Sequence, residues 1–174
     1  MNKAYISSFR SECLKRQVGA VIVEGEKEEI ISEGFNHVPG KNVLSSCQNL
    51  YNKCYRDKIR KELSLDKCSE CEESVKIEKI KMLDLCRALH AEEDAILNAL
   101  LLGYNKFDKC KLYTTTFPCM LCAKKIIAVG IREIIFVEPY PVEESIKILK
   151  NAQVKIEVFR GIKYVSFHKL FKKR

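Results

Sequence analysis

No apolar run in this chain approaches 18 residues, so no segment reads as a helix that spans a bilayer. The amino terminus, Met1-Asn2-Lys3-Ala4-Tyr5, lacks the long apolar stretch of a secretory signal. The sequence shows no internal repeat, and its seven glycines are scattered rather than gathered in a phosphate-cradling loop. These absences set aside a helical membrane span, a repeat array and a P-loop nucleotide binder within this sequence. Apolar residues make up 47% and charged residues 31%, which also excludes wholesale disorder. The 174 residues leave room for one domain carrying a loop insertion and too little for two ordinary ones. Nine cysteines remain, an odd number in a chain long enough to fold without staples. Without an export signal the expected setting is the reducing cytoplasm, where clustered cysteines read first as metal ligands.

The net charge of +8 suggests acidic partners, nucleotides and nucleic acid first, against the alternative of a generic basic surface. Lys163, Lys169, Lys172, Lys173 and Arg174 make a basic tail without an acid among them.

The pattern predicts a short helix over 4–14, then a continuous apolar run over 18–23, the mark of a strand buried on both faces. A polar turn and a second strand over 30–36 complete an antiparallel hairpin. Regularity then breaks from 37 to about 85. Sixteen of the 29 residues from Lys53 to Lys81 are charged, and the stretch reads as a cysteine-bearing insertion, at about 38–85, on the surface of one domain spanning 1–174. Beyond it the sequence predicts a helix over 91–102 stopped by Gly103, a strand over 109–115, a helix over 119–129 stopped by Gly130, a buried strand over 132–137, a helix over 141–150 opened by Pro141, and a strand over 154–159. Strand–helix alternation of this kind indicates an α/β sandwich with a largely parallel second half.

One constellation carries chemistry: His90-Ala91-Glu92 followed by Pro118-Cys119-Met120-Leu121-Cys122. Cys119 and Cys122, three apart in the first turn of a helix, point their sulfurs to one side. The helix N-terminus favours the thiolates that zinc requires. His90 stands at the start of another helix. Two thiolates and a neutral imidazole balance Zn²⁺ and leave a fourth tetrahedral position for water, whose pKa zinc lowers from 15.7 to roughly 7. Glu92, two residues after His90, reaches the open side without ligating and can shuttle protons. The alternatives are a closed four-ligand zinc site and a plain C-x-x-C pair in a core. H-x-E…P-C-x-x-C is the signature of zinc-dependent nucleobase deaminases.

On these residues the chain resembles the cytidine/deoxycytidylate deaminase superfamily. Arg16-Gln17-Val18-Gly19-Ala20-Val21-Ile22-Val23, Gly34-Phe35-Asn36, Leu89-His90-Ala91-Glu92 and Leu112-Tyr113-Thr114-Thr115-Thr116-Phe117-Pro118-Cys119 stand in that family's order. The resemblance implies a three-layer α/β/α sandwich with a mixed five-stranded sheet, and zinc where two helix N-termini meet at the strand ends. Phe117 replaces the Glu usual before Pro-Cys in deaminases of tRNA adenosine, free cytosine and guanine, and 53 residues separate Asn36 from His90. Both features resemble the deoxycytidylate branch, whose insertion often holds a second, structural zinc. Tyr5-Ile6-Ser7-Ser8-Phe9-Arg10-Ser11, Cys13-Leu14 and Val137-Glu138-Pro139-Tyr140-Pro141 look like the deaminase domain of bacterial anti-phage deoxycytidine-nucleotide deaminases, which carry a kinase-like domain upstream. A chain that stands alone and a fragment of such a protein both remain open.

The resemblance implies hydrolytic deamination of a deoxycytidine nucleotide, dCMP first. The alternatives are a base deaminase acting on tRNA or single-stranded DNA, a dCTP-acting anti-phage enzyme, and a non-catalytic zinc-stabilised binding domain. It also implies a homo-oligomer, often a hexamer, and a nucleoside triphosphate effector. On the substrate side it marks Asn36 as a contact to the sugar, against ordinary turn chemistry, together with Ala91 and Thr116. Arg87 matches an Arg that contacts a phosphate or a neighbouring subunit, and Tyr140 stacks on a base or anchors a loop. His37 is an active-site rim residue, a ligand of the second zinc or an exposed loop residue. For that second zinc, Cys68 and Cys71 combine with Cys47 and Cys54, with Cys86 as an alternative partner. Cys13 and Cys110 read as core residues, as does the helical stripe of Phe167, Leu170 and Phe171.

Overall fold

The apolar run near the amino terminus becomes the second strand in from one edge of a five-stranded sheet. In the computed structural model, which describes residues 1–25, 28–40, 54–58, 86–139 and 143–161, the strands are β1 (Gly19–Glu24), β2 (Glu29–Phe35), β3 (Cys110–Thr116), β4 (Glu133–Glu138) and β5 (Lys155–Val158). Their order is β2-β1-β3-β4-β5. The expected hairpin pairs β1 with β2, with a bulge between Ile22 and Val23. β1 also lies antiparallel to β3, whereas β3, β4 and β5 are parallel, which confirms the mixed sheet and the parallel second half.

Period-two alternation sends the side chains of β1 to two layers. Ala20 and Ile22 join the main core with Ala91, Ala95 and Ile96 of α2 (Ala91–Leu101), Ala123 and Ile126 of α3 (Met120–Val129), and Leu149 of α4 (Glu143–Asn151). Val21 and Val23 face the other way and pack with Ala4 of α1 (Asn2–Ser8). The result is the α/β/α sandwich. Ile22, Leu112, Ile126, Ile131, Ile134 and Leu149 are fully buried on the α2–α4 side. Each contributes roughly 1.5–3 kcal/mol. The main stabilising core therefore lies beneath the helices that carry the candidate chemistry.

Two glycines set the layer spacing. A Cβ on Gly19 would stand 1.9 Å from Ala4 O, so α1 lies with its backbone against β1. A Cβ on Gly34 would stand 2.3 Å from Ala91 O and from Ala95 N, so α2 is seated just as closely on β2.

Element boundaries follow the sequence reading closely, with one correction. The first helix stops at Ser8 instead of continuing to 14. Ser8 Oγ turns back to donate to Tyr5 O at 2.7 Å, Ser11 Oγ donates to Asn36 O at 2.8 Å, and Gln17 Nε2 donates to Ser11 O at 2.9 Å. These bonds draw residues 9–18 off the helical path, and Cys13 is consequently half-buried instead of a core residue. Pro141 lies outside the described residues, as do Phe167, Leu170 and Phe171.

The chain divides into two compact units: 1–11, 17–36 and 90–174 form the first, and 12–16 with 37–89 the second. In the second, the carbonyl of buried Cys54 accepts the Asp57 and Lys58 N–H groups at 3.0 and 3.1 Å, opening a helical turn over 55–58. Lys15 pairs with Asp57, and Leu89 N–H donates to His37 O at 2.9 Å. Among the described residues no helix is long and apolar enough to cross a membrane.

The seating of α1 is open to a direct check. Gly19→Ala is expected to cost roughly 3 kcal/mol, because an added methyl here meets backbone that cannot swing aside. Urea unfolding followed by circular dichroism measures it; a loss below about 0.5 kcal/mol, within the range of ordinary surface substitutions, would show that α1 is not seated on β1 in this way.

Candidate metal centre

β2 and β3 are both antiparallel to β1, so both end at the same edge of the sheet. After β3, Phe117 N–H continues the ladder by donating to Glu138 O at 2.8 Å. Pro118 follows, and Cys119 takes extended backbone angles (φ −71°, ψ 173°) as the N-cap of α3. His90 is the N-cap of α2 in the same conformation (φ −82°, ψ 154°). Neither side chain caps its own helix. They turn instead toward each other: Cys119 Sγ and Cys122 Sγ each lie 3.3 Å from His90 Nδ1. The three donor atoms fall within 4.8 Å of one another.

This donor set fits zinc. A tetrahedral ion with Zn–N near 2.0 Å and Zn–S near 2.3 Å places nitrogen and sulfur about 3.5 Å apart, close to the spacing observed. Among the described residues three donors cluster, which would leave a tetrahedral zinc ion a fourth position.

The electrostatics agree. The Cys119 thiol is pushed down to about 4, first by a hydrogen bond from Cys122 and further by His90. Cys122, as the donor in that bond and buried, is pushed well above the ordinary thiol value. The hydrogen bond with Cys119 raises His90. Glu92, 4% exposed in the first turn of α2, is raised by burial to about 6, while a hydrogen bond from Cys122 acts against that rise. The carboxyl therefore sits against the sulfur pair without being one of the three clustered donors. To hold a dication, Cys122 and His90 would have to give up their protons, so metal affinity would rise with pH.

The structure thus brings His90, Glu92, Cys119 and Cys122 together. Ala91 is the first residue of α2 and fully buried, its carbonyl under Gly34. Thr116 ends β3, buried, its carbonyl accepting Thr114 Oγ at 2.9 Å. Asn36 is buried just past β2; its Oδ1 accepts the Val18 N–H at 2.7 Å, and its own N–H donates to Val18 O at 3.2 Å. Arg87 stacks its guanidinium over the Tyr55 ring at 3.4 Å, both in the second compact unit. Cys54 is buried and Cys86 half-buried there. Cys110 is buried, as expected of a core residue, and hydrogen-bonds Tyr104 OH at 3.2 Å. Tyr140, Cys47, Cys68 and Cys71 lie outside the described residues. Phe117 is packed edge-on against Phe136, ring centroids 4.8 Å apart, so the position that distinguishes branches of the superfamily is here a core aromatic.

Two features escaped the sequence reading. Glu93, beside Glu92, pairs with Lys125 and so ties α2 to α3. Thr115 Oγ accepts the Gly19 N–H at 3.2 Å, joining β3 to the start of β1. The acidic first turn of α2 hints at Glu93, but Lys125 carries no local signal.

An α/β/α sandwich whose two helix N-termini converge on His, Cys and Cys beside a buried carboxyl defines a class: a sandwich fold with a candidate zinc-binding site at the helix ends. The chain belongs to the cytidine and deoxycytidylate deaminase family. Residues 1–138 match the family model described as the cytidine and deoxycytidylate deaminase zinc-binding region. The chain is 33% identical over 161 residues to the deoxycytidylate deaminase of Saccharomyces cerevisiae, covering 91% of this chain and 43% of that protein. It is 30% identical over 161 residues to the deoxycytidylate deaminase of Schizosaccharomyces pombe, covering 91% and 42%. The chain therefore spans about two fifths of the length of these two relatives. Its fold superposes on the dCMP deaminase of cyanophage S-TIM5, solved with dCMP and dUMP, at a TM-score of 0.62 and 20% identity, covering 91% of this chain and 92% of that one.

The raised carboxyl has a measurable consequence. Glu92 ionises in the fold near 6 against an ordinary 4.5. The fold thus favours the protonated acid, and the penalty is absent below 4.5. As pH rises through 6 the ionised carboxylate destabilises the metal-free protein, by roughly 2 kcal/mol. Glu92→Gln is expected to melt higher than wild type at pH 8 in chelator, with the gap closing at pH 4.5. A gap that stays constant across this range would show that burial does not raise Glu92.

Proposed function

We propose that this chain is a zinc-dependent hydrolase that converts dCMP to dUMP and ammonia, with zinc held by His90, Cys119 and Cys122 and protons carried by Glu92. The observation that supports it best is the buried Glu92 carboxyl packed against the three-donor cluster, in a family whose similar members are named deoxycytidylate deaminases. When bound, zinc supplies an acidified water near neutral pH. Glu92 Oε would take one proton from that water and pass it to ring N3, then take the second proton, from the hydroxyl now on C4, and pass it to the departing amino nitrogen, which leaves as ammonia. A carboxyl that exchanges its proton near neutrality suits both deliveries. Asn36, held at its Oδ1 by Val18, orients the sugar and so aligns C4 of the base. Ala91 and Thr116 contact the substrate, and Tyr140 stacks on the base. Arg87 reads the phosphate, and the +8 charge favours an anionic substrate. The chain works in the cytoplasm as a homo-oligomer with a nucleoside triphosphate effector. Residues 38–85 are an insertion in a single deaminase domain and hold a second, structural zinc through Cys47, Cys54, Cys68 and Cys71.

Ammonia release measured on deoxycytidine, dCMP, dCTP, a single-stranded DNA oligonucleotide and tRNA tests this reading. The expected result is dCMP well ahead. Equal kcat/KM for deoxycytidine and dCMP, or turnover confined to a polynucleotide, would overturn it. Glu92→Gln is expected to lose at least roughly a thousandfold in kcat with zinc retained; zinc loss or surviving turnover would assign Glu92 another role.

Metal analysis tests the second site. Two zinc ions per chain are expected, falling to one in Cys68→Ser/Cys71→Ser with a drop in thermal stability. A ratio of one that these substitutions leave unchanged would remove the second site.

A further inference from the structure

Among the described residues β2 is an edge strand. Backbone groups alternate in direction along a strand. Asn36 N–H points at β1, where it meets Val18 O. Phe35 N–H and Glu33 C=O therefore point to the open edge. Both find their partner on α2. Phe35 N–H donates to Asp94 Oδ2 at 3.1 Å, and Asn98 Nδ2 donates to Glu33 O at 2.9 Å. Asp94 and Asn98 are four apart and share a helix face, so one acceptor and one donor do for this edge what a sixth strand would do. Gly34 lies between the two bonded residues with α2 pressed against it, and Ser32 Oγ adds a buried bond to Ala95 O at 2.8 Å.

We propose that Asp94 is a positioning residue whose carboxylate holds the end of β2, and with it Asn36, in register with the turn of α2 that carries His90 and Glu92. The inference rests on the reading of Asn36 as the sugar contact. The chain of contacts is short. Asp94 N–H donates to His90 O at 2.9 Å, Glu92 lies two residues earlier, and the bond from Phe35 fixes the peptide directly before Asn36. Asp94 is itself buried, 6% exposed. Removing the carboxylate frees the β2 end to slide along α2, and a displacement of about 1 Å at a substrate contact can cost on the order of a hundredfold in rate. What the site needs from Asp94 is an acceptor oxygen at that reach, which an amide also supplies.

The test is a double-mutant cycle on the zinc-loaded protein with dCMP. Asp94→Ala is expected to lower kcat/KM about thirtyfold with zinc content unchanged, and Asp94→Asn to recover it to within about threefold of wild type. In an Asn36→Ala background the further substitution Asp94→Ala is expected to change kcat/KM by less than about threefold, since the contact it positions is already gone. Hydrogen exchange at the Phe35 amide gives a readout independent of turnover: fast in Asp94→Ala, protected in Asp94→Asn. If Asp94→Ala does not fold, Asp94→Ser, too short to reach the amide, takes its place. Full additivity with Asn36→Ala, failure of Asp94→Asn to recover activity, or unchanged Phe35 protection would each overturn the proposal. If wild type deaminates no deoxycytidine nucleotide, the deaminase reading itself fails. Phe35 protection then decides the inference, fast exchange in Asp94→Ala upholding the hold on β2 and unchanged protection ending it.

Discussion

Two helix N-termini aimed at one point are the constraint on which the rest of this structure depends. Each presents N–H groups that have no partner within the helix and about half a positive charge, so their convergence is unfavourable unless negative charge stands between them. The Cys119 thiolate supplies it, with Glu92 buried alongside. The sheet topology delivers the convergence: β2 and β3 flank β1 in the same direction and end at one edge. The Glu93–Lys125 pair then fastens the helices side by side. The thiolates that would offset the charge of a bound dication are the groups that the helix ends favour.

Much of this was legible in the sequence because the governing chemistry is local. A cysteine pair three apart must share a helix face, and a proline before it marks where that helix begins. The apolar runs of β1 and β4 could belong only to buried strands. What the sequence did not disclose is held by contacts between distant residues. The early stop at Ser8 depends on Ser11 reaching Asn36. Nothing near Asp94 announces a strand amide, and nothing near Lys125 announces Glu93. Arg87 illustrates the same limit: its position pointed to a phosphate, while the aromatic partner it stacks on, Tyr55, lies 32 residues away in sequence.

The site is also where the fold gives up stability. Glu92 is a buried ionisable side chain whose burial pushes its pKa up, an effect that the neighbouring His90 offsets only in part. An apolar residue would suit the packing better, and a glutamine would suit the hydrogen bonding. Neither could move a proton. Phe117 shows the opposite choice one strand away: an aromatic ring that closes the core against Phe136. The fold buries one acid beside the donor cluster and fills the neighbouring place with hydrocarbon.

The contact at Gly34 reaches further than local packing. Because main chain meets main chain there, the height of α2 above the sheet is fixed by atoms that every amino acid shares. The apolar side chains beneath the helix therefore do not set the height at which His90 rides. Within the limits of a filled interior, those side chains can be exchanged over generations, large for small and branched for straight, while His90 stays in place. The arrangement separates the inheritance of the site's geometry from the inheritance of the core, and one glycine is the hinge of that separation.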